Sequence, residues 1–339
     1  MSQEQGEIVP PGTLSEESSP AGLTAPAPSE WGERMASSST SVRSLLGRVK
    51  RKLTGPGPVP AAPAPEAAPP LWSDAPPSPW APRSAAEDAA PVWCNICRWT
   101  GDAFAGRFHS EAANCPQCGS ISRDRYLFHC YVARTPESLG ARVLETSPRL
   151  GEDYRRAMAG WFDYTCSDYD ERAHRGAVQL DLQAIDRPDE SFDAILTPHV
   201  LEHVPETAKA LDEIHRVLAP GGRMYLQVPL LQGRTAPPVE PEFHGDNTPV
   251  FWRFGFDLTG TLREHGFTTS LLATDGWLSY VDSGASEWPE DTSKEFDVTS
   301  MTAGVIRDDL ESVADDATAT RLGLLPAYMF LTWECVKQG

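Results

Sequence analysis

The chain is poor in positive charge and poorer in lysine. Only five of its 29 basic residues are Lys, at positions 50, 52, 209, 294 and 337, against 48 acidic residues and a formal net charge of −19. Sequence-independent nucleic-acid binding needs clustered Lys and Arg to displace counterions, so nucleic acid is not an expected partner. No run of 18 apolar residues occurs, so no transmembrane helix is expected. The opening MSQEQGEIVPPG has neither a basic n-region nor an apolar h-region, so no secretory signal is expected and a cytoplasmic chain is. In that setting seven cysteines are metal ligands or buried thiols rather than a disulfide framework.

What is present divides unevenly. Of 31 prolines, 16 lie in residues 1–90, mixed with Ala, Ser and Glu. That composition buries too little apolar surface to offset ordering entropy, so 1–90 is expected to be a disordered tail. About 250 residues remain, the size of one α/β domain with an appendage. Within the tail, Val42, Leu45, Leu46, Val49 and Leu53 repeat at helical spacing, with Arg43, Arg48, Lys50, Arg51 and Lys52 on the other faces. A short basic amphipathic helix over 41–53 suits a membrane surface or a protein partner's groove. It equally suits a transient helix in a linker, since 13 residues are marginal for an isolated one. Trp72 and Trp80 have the look of a docking motif.

Residues 91–123 change character. Cys94 and Cys97 form one C-x-x-C pair, and Cys115 and Cys118 form another 17 residues on. Such knuckles place four thiolates in a closed tetrahedral shell, so a structural Zn2+ ion is expected, with a folding role and no open position for catalysis. Residues 98–108 would be the hairpin between knuckles, and 120–133 a helix joining this zinc ribbon to the next domain.

From 124 onward the pattern is that of an α/β chain. Val143 and Leu144 centre a first strand with Glu145 at its carboxyl end. Residues 162–166 make a second strand that runs into Ser167 and Asp168, and residues 178–182 a third with Asp181 and Leu182. Residues 192–196 make a fourth, and 224–228 a fifth after an amphipathic helix at 206–218 closed by Pro220-Gly221-Gly222. A strand, helix and strand within about 40 residues is a βαβ unit of a parallel sheet. Acidic residues at strand carboxyl ends stand where open α/β sheets bind ligands.

The stretches VLE at 143–145, SDYD at 167–170, LDL at 180–182, SFDAIL at 191–196, VLEHVP at 200–205 and EIHRVLAPGG at 213–222 resemble the class I S-adenosylmethionine-dependent methyltransferases, the type 11 group in particular. The likeness runs over residues 141–270. It implies a Rossmann-like, seven-stranded α/β sheet and S-adenosylmethionine as cofactor. It implies that Glu145 faces the methionine and ribose part, Asp168 binds the ribose hydroxyls, Asp181 with Leu182 holds adenine, and His199 faces the transferred methyl. A zinc ribbon ahead of the domain also occurs in some such enzymes. One departure stands out. The family's first loop reads Glu/Asp-x-Gly-x-Gly-x-Gly, whereas here it is Glu145-Thr-Ser147-Pro-Arg-Leu-Gly151. Ser147 is then the cofactor contact of a loop that must take its own path.

His199-Val-Leu-Glu202-His203 also matches the H-x-x-E-H pattern of zinc peptidases. That chemistry needs the motif in mid-helix, and here Pro198 and Pro205 bracket it, which favours the methyltransferase loop. Downstream, His244 and Asp246 are candidates for a general base or acceptor contact, or else exposed loop polars. The catalytic candidates are therefore His199 and His244. Residues 275–323 read as an acidic insertion forming a lid or a substrate subdomain, and 328–336 as a last strand. The expected acceptor is a small polar molecule, such as a sugar or metabolite hydroxyl. An RNA methyltransferase and a non-catalytic scaffold with a degenerate cofactor pocket are the other readings.

Overall fold

The computed structural model describes residues 76–106, 113–170, 172–173, 176–230, 233–244, 248–284, 304–324 and 331–339. The 41–53 segment, Trp72 and Asp246 lie outside the described residues. Among those described, no helix is long and apolar enough to cross a membrane.

An eight-stranded sheet forms the centre. Its strands are β3 (Arg142–Thr146), β4 (Asp163–Asp168), β5 (Val178–Gln179), β6 (Phe192–Pro198), β7 (Leu218–Gln227), β10 (Phe267–Thr274), β11 (Leu310–Ala314) and β12 (Thr332–Lys337), in the spatial order β11-β10-β12-β7-β6-β3-β4-β5. β12 runs antiparallel to both neighbours and the other pairs are parallel. The chain winds outward from β3 in one direction and from β6 in the other. The β3–β6 junction is thus a topological switch point, and the crevice above it is where such a sheet binds ligands. Val143, Leu144, Ile195, Leu196, Met224 and Leu226 lie at 0–1% exposure, so the central strands are apolar on both faces, as helix-covered parallel sheets are.

α4 (Thr207–Val217) connects β6 to β7 and buries Ala210, Leu211, Ile214 and Val217 along one face. The expected stop at Pro220-Gly221-Gly222 comes three residues sooner, at Val217, and the Pro-Gly-Gly run instead belongs to β7. It forms a bulge: the β6–β7 register shifts between Phe192 and Ala194, and Gly221 takes φ +76°. A Cβ on Gly222 would meet the Ala219 carbonyl oxygen at 2.8 Å, so the spacing that looked like a helix cap serves a bulge.

Two expectations about the periphery change. The sheet has eight strands instead of seven, because the acidic insertion supplies β11, which pairs parallel with β10 and covers its edge. The insertion's described parts also include α6 (Asp275–Asp282) and α7 (Asp316–Arg321). Trp277 and Tyr280 stack at 5.5 Å and are buried, so these aromatics build core at the sheet's far edge instead of a lid. Residues 76–90, expected in the disordered tail, are folded. Trp80 packs its ring on Tyr131 and Phe162 and donates its indole N–H to the carbonyls of Val132 and Thr135 at 3.1 Å. α1 (Ala85–Ala89) follows, with Ser84 and Glu87 in a reciprocal capping box. The indole anchors this segment through both ring packing and hydrogen bonds, a local signal that composition averaged over 90 residues hides.

α2 (Ser122–Arg134) ties the cysteine ribbon to the sheet. Its Arg125 is fully buried. The guanidinium donates to the carbonyls of Ala113, Ser120 and Leu322 at 2.6–2.7 Å and lies 3.7 Å over the Phe104 ring. One side chain thereby joins both ends of the ribbon to the turn after α7.

Candidate functional site

The ribbon holds the first cluster. Cys94 and Cys97 follow β1 (Val92–Trp93), and β2 (Thr100–Gly101) pairs back against it. Each C-x-x-C closes a turn of the same form. Arg98 N–H donates to Cys94 O and Gly119 N–H to Cys115 O at 2.8–2.9 Å, and the residue after each second cysteine is left-handed, Arg98 at φ +62° and Gly119 at +72°. The sulfurs of Cys94 and Cys118 are 3.7 Å apart, those of Cys97 and Cys115 3.6 Å. A tetrahedron with metal–sulfur bonds of about 2.3 Å has edges of about 3.8 Å, which these two separations match, and all four sulfurs lie within 4.8 Å of one another, so the cluster suits one tetrahedral ion.

The second assembly lies at the carboxyl ends of the parallel strands. A cavity of about 390 Å3 opens there, within the range of ~300–1,000 Å3 that small ligands occupy. Four of the expected cofactor residues line it: Ser147 after β3, Asp168 at the end of β4, and Asp181 and Leu182 after β5. Asp168 is held by Asp170 N–H at 3.0 Å and Asp181 by Gln183 N–H at 2.9 Å, two Asx turns that set the carboxylates at the rim. Ser147 stands where the family pattern has its first loop glycine. It adopts the backbone such a glycine would, φ +45°, pinned by its N–H to Ser167 O at 2.7 Å. The Ser-Pro loop therefore keeps the tight turn.

Glu145 does not reach that cavity. It is 4% exposed and faces a separate void of about 20 Å3, room for about one water. Tyr164 donates its hydroxyl to Glu145 Oε2 at 2.7 Å, and Tyr154 donates to both oxygens at 3.1–3.2 Å. Burial pushes its carboxyl up to about 7 although the tyrosines favour the anion. The strand alternation that places Thr146 at the cavity turns Glu145 away from it.

The loop after β6 forms the opposite wall. His199 has φ +51°, with its backbone N–H on Gln227 O at 2.8 Å, and a 3-10 turn spans Leu201–His203. The H-x-x-E-H residues are therefore not in mid-helix, as the flanking prolines imply. They nevertheless converge. His199 Nδ1 and His203 Nε2 each lie 3.8 Å from Glu202 Oε1. His244 stands after the two-residue strand β8 (Glu242–Phe243), which pairs with β9 (Pro249–Val250). That pairing carries the His244 ring onto the His203 ring, edge to face, with centroids 4.6 Å apart. Phe251 and Trp252 N–H groups donate to Glu202 O and hold the ribbon to the turn. Burial together with the positive Arg123 and the neighbouring imidazoles keeps His199 well below the ordinary histidine range, hence neutral. Of the residues on this wall, His203, Val204, Thr248 and Phe251 border the cavity; His199 and His244 do not. The sequence names His203 only within the H-x-x-E-H run and does not single out 248–251, because their place at the cavity depends on a pairing of two two-residue strands that carries no periodic signal.

Comparison with known proteins finds the following likenesses. A family model described as a methyltransferase domain matches residues 123–270, from α2 into β10. The arsenite methyltransferase of Aquipseudomonas alcaligenes is 30% identical over 111 residues, which is 32% of this chain and 31% of that protein, so the chain spans about a third of that relative's length. Among solved structures, a Burkholderia thailandensis 1,6-didemethyltoxoflavin N1-methyltransferase, with its substrate and S-adenosylhomocysteine bound, is 16% identical. The match covers 59% of this chain and 72% of that one at a TM-score of 0.36. An S-adenosylmethionine-dependent methyltransferase from Mesorhizobium loti is 15% identical, covering 62% and 97% at a TM-score of 0.36. The family model thus spans the segment that carries β3 to β7 and the cavity at their carboxyl ends.

Proposed function

We propose that the chain is an S-adenosylmethionine-dependent methyltransferase acting on a small polar acceptor, such as a sugar or metabolite hydroxyl. One observation carries the reading. Ser147, Asp168, Asp181 and Leu182 come from three separate strand ends, and they line one cavity at the switch point of the sheet. Bound there, the cofactor supplies a methyl carbon already activated on a sulfonium. The chain's own residues then bind and align. Asp168 accepts the ribose hydroxyls, Asp181 and Leu182 hold the adenine edge and face, and the turn at Ser147 brings backbone to the cofactor. His199 and His244 stay the catalytic candidates for the proton of a hydroxyl acceptor, although neither lines the cavity as it stands.

The four-cysteine site is assigned to one zinc ion with a folding role, on the fit of its sulfur–sulfur distances. All seven cysteines are free thiols, which suits a reducing, cytoplasmic setting.

Titration calorimetry with S-adenosylmethionine tests the reading. Losing charge-assisted hydrogen bonds worth about 1.5–3 kcal/mol, Asp168→Ala should bind the cofactor about 10- to 100-fold more weakly. A folded wild-type chain that binds none of it overturns the enzyme reading and leaves a scaffold. A salt-dependent RNA complex would move the acceptor to nucleic acid, against the net charge of −19. Transfer of labelled methyl groups into fractionated cell extract identifies the acceptor.

A further inference from the structure

The Glu202 carboxylate is 1% exposed, and neither of its oxygens has a hydrogen-bond partner among the described residues. A buried, unsatisfied carboxyl is costly as an anion, so it either keeps its proton or meets a cation. What faces it is imidazole. His203 Nδ1 lies 2.6 Å from Pro249 O. A carbonyl can only accept, so Nδ1 carries the proton and Nε2 turns its lone pair toward Glu202, 3.8 Å away. A backbone carbonyl that fixes the tautomer in this way is the usual support of a metal-binding histidine. His244 completes the group: its ligand nitrogen, His203 nitrogen and a Glu202 oxygen all lie within 4.8 Å of one another. Ligands about 2.1 Å from one ion are at most about 4.2 Å apart, so exposed His244 need close by well under 2 Å.

We propose that Glu202, His203 and His244 form a second metal site, for a divalent first-row transition ion, distinct from the four cysteines. Two imidazoles and one carboxylate leave coordination positions open. His203 also borders the 390 Å3 cavity, so an open position there faces the space assigned to cofactor and acceptor. Its role rests on the methyltransferase reading: the ion takes an acceptor hydroxyl and lowers its pKa. The O–H bond breaks and its proton passes to solvent. The freed electron pair on oxygen forms the C–O bond to the methyl. The C–S bond breaks with its pair remaining on sulfur, leaving S-adenosylhomocysteine and the methyl ether. No oxidant or reductant is needed. Acceptors offering a hydroxyl beside a second oxygen, able to occupy two open positions, are the class favoured.

Cobalt(II) titration of the full-length, metal-stripped chain tests the site. Two equivalents are expected. One brings intense thiolate-to-cobalt charge transfer, and the other only the weak visible bands of nitrogen and oxygen ligands. His244→Ala, an exposed position, and Glu202→Gln, which preserves shape, should each weaken the second equivalent at least about 10-fold while sparing the charge-transfer band. A single, all-thiolate equivalent overturns the proposal, as does a second equivalent that both variants leave unchanged. S-adenosylmethionine calorimetry on the same samples separates the two inferences. Cofactor binding without the second equivalent removes this site and leaves the methyltransferase reading. A second equivalent without cofactor binding does the reverse. Labelled methyl transfer should drop at least about 10-fold in His244→Ala; unchanged transfer overturns the role given to the ion.

Discussion

The ribbon's cysteines and the His–Glu group beside the cavity are both sets of metal-ligating side chains, and they are built in opposite ways. The cysteines come from two matching turns within 25 residues, each closed by its own backbone hydrogen bond and followed by a left-handed residue. Their sulfurs already stand at tetrahedral separations, and a fourth thiol fills the last position. Glu202, His203 and His244 come from a 3-10 turn and a distant two-stranded ribbon, and they offer too few donors to close a shell. Local spacing writes a closed site. Only tertiary pairing assembles an open one. The closed site faces the protein's own fold, the open one a cavity.

The comparison is broken most severely at the cysteines. Cys97→Ser removes one thiolate of a full shell, and structural zinc contributes of order 10 kcal/mol to folding in small metal domains. The variant should lose its zinc equivalent and at least about 5 kcal/mol in urea unfolding, with amide protection lost over residues 92–121. Retained protection without metal would show that packing alone holds the ribbon. Arg125→Met comes next. It strands three buried carbonyls that the guanidinium now satisfies, a loss of about 3–5 kcal/mol. Zinc content should stay at one equivalent while the denaturation midpoint falls, because the knuckles form from their own backbone bonds.

How much was legible follows the same division. The two C-x-x-C pairs and the strand ends at Asp168 and Asp181 were readable, because each depends on neighbours within a few residues. The parallel character of the sheet's centre followed from the βαβ spacing. Glu145 is not among the residues lining the cavity: an acid at a strand end points one way or the other according to one step of the pleat, and Tyr154 and Tyr164 hold this one. The eighth strand was hidden in an insertion whose acidic residues outweigh the apolar faces of Leu310 and Ala314. His244 was named as a catalytic candidate and His203 as part of the H-x-x-E-H run, but nothing in the chain announces that the two meet.

Glu145 extends the contrast to a buried carboxylate that has partners, unlike Glu202. Its carboxyl titrates near 7 when folded, against 4.5 as a free side chain, because burial outweighs the tyrosine hydrogen bonds. A raised folded pKa means that this group's stabilisation is complete below about pH 4.5 and is lost as pH rises through about 7. The difference is about 3 kcal/mol at one pKa unit per 1.36 kcal/mol. Glu145→Gln should therefore flatten the stability profile between pH 4.5 and 7 and exceed wild type by about that amount at pH 8. Urea unfolding at both pH values reads it; parallel profiles would mean that the tyrosine pair offsets burial.

The smallest effect is at Ser147, on the cofactor side of the cavity. A left-handed L-residue costs about 1–2 kcal/mol, while a glycine there adds about 0.5–1 kcal/mol of unfolded-chain entropy. The two nearly cancel, so Ser147→Gly should change stability by less than about 1 kcal/mol. A β-branched side chain cannot share the cancellation, since its stiff χ1 crowds the same φ of +45°. Ser147→Val should then cost about 2 kcal/mol. Cofactor calorimetry on the pair makes the point sharper. If the turn alone matters, the glycine variant binds S-adenosylmethionine as wild type does and the valine variant does not. If both bind equally, backbone shape at this position is irrelevant to the cavity, and the missing glycines of the loop need a different explanation from the one the φ angle supplies.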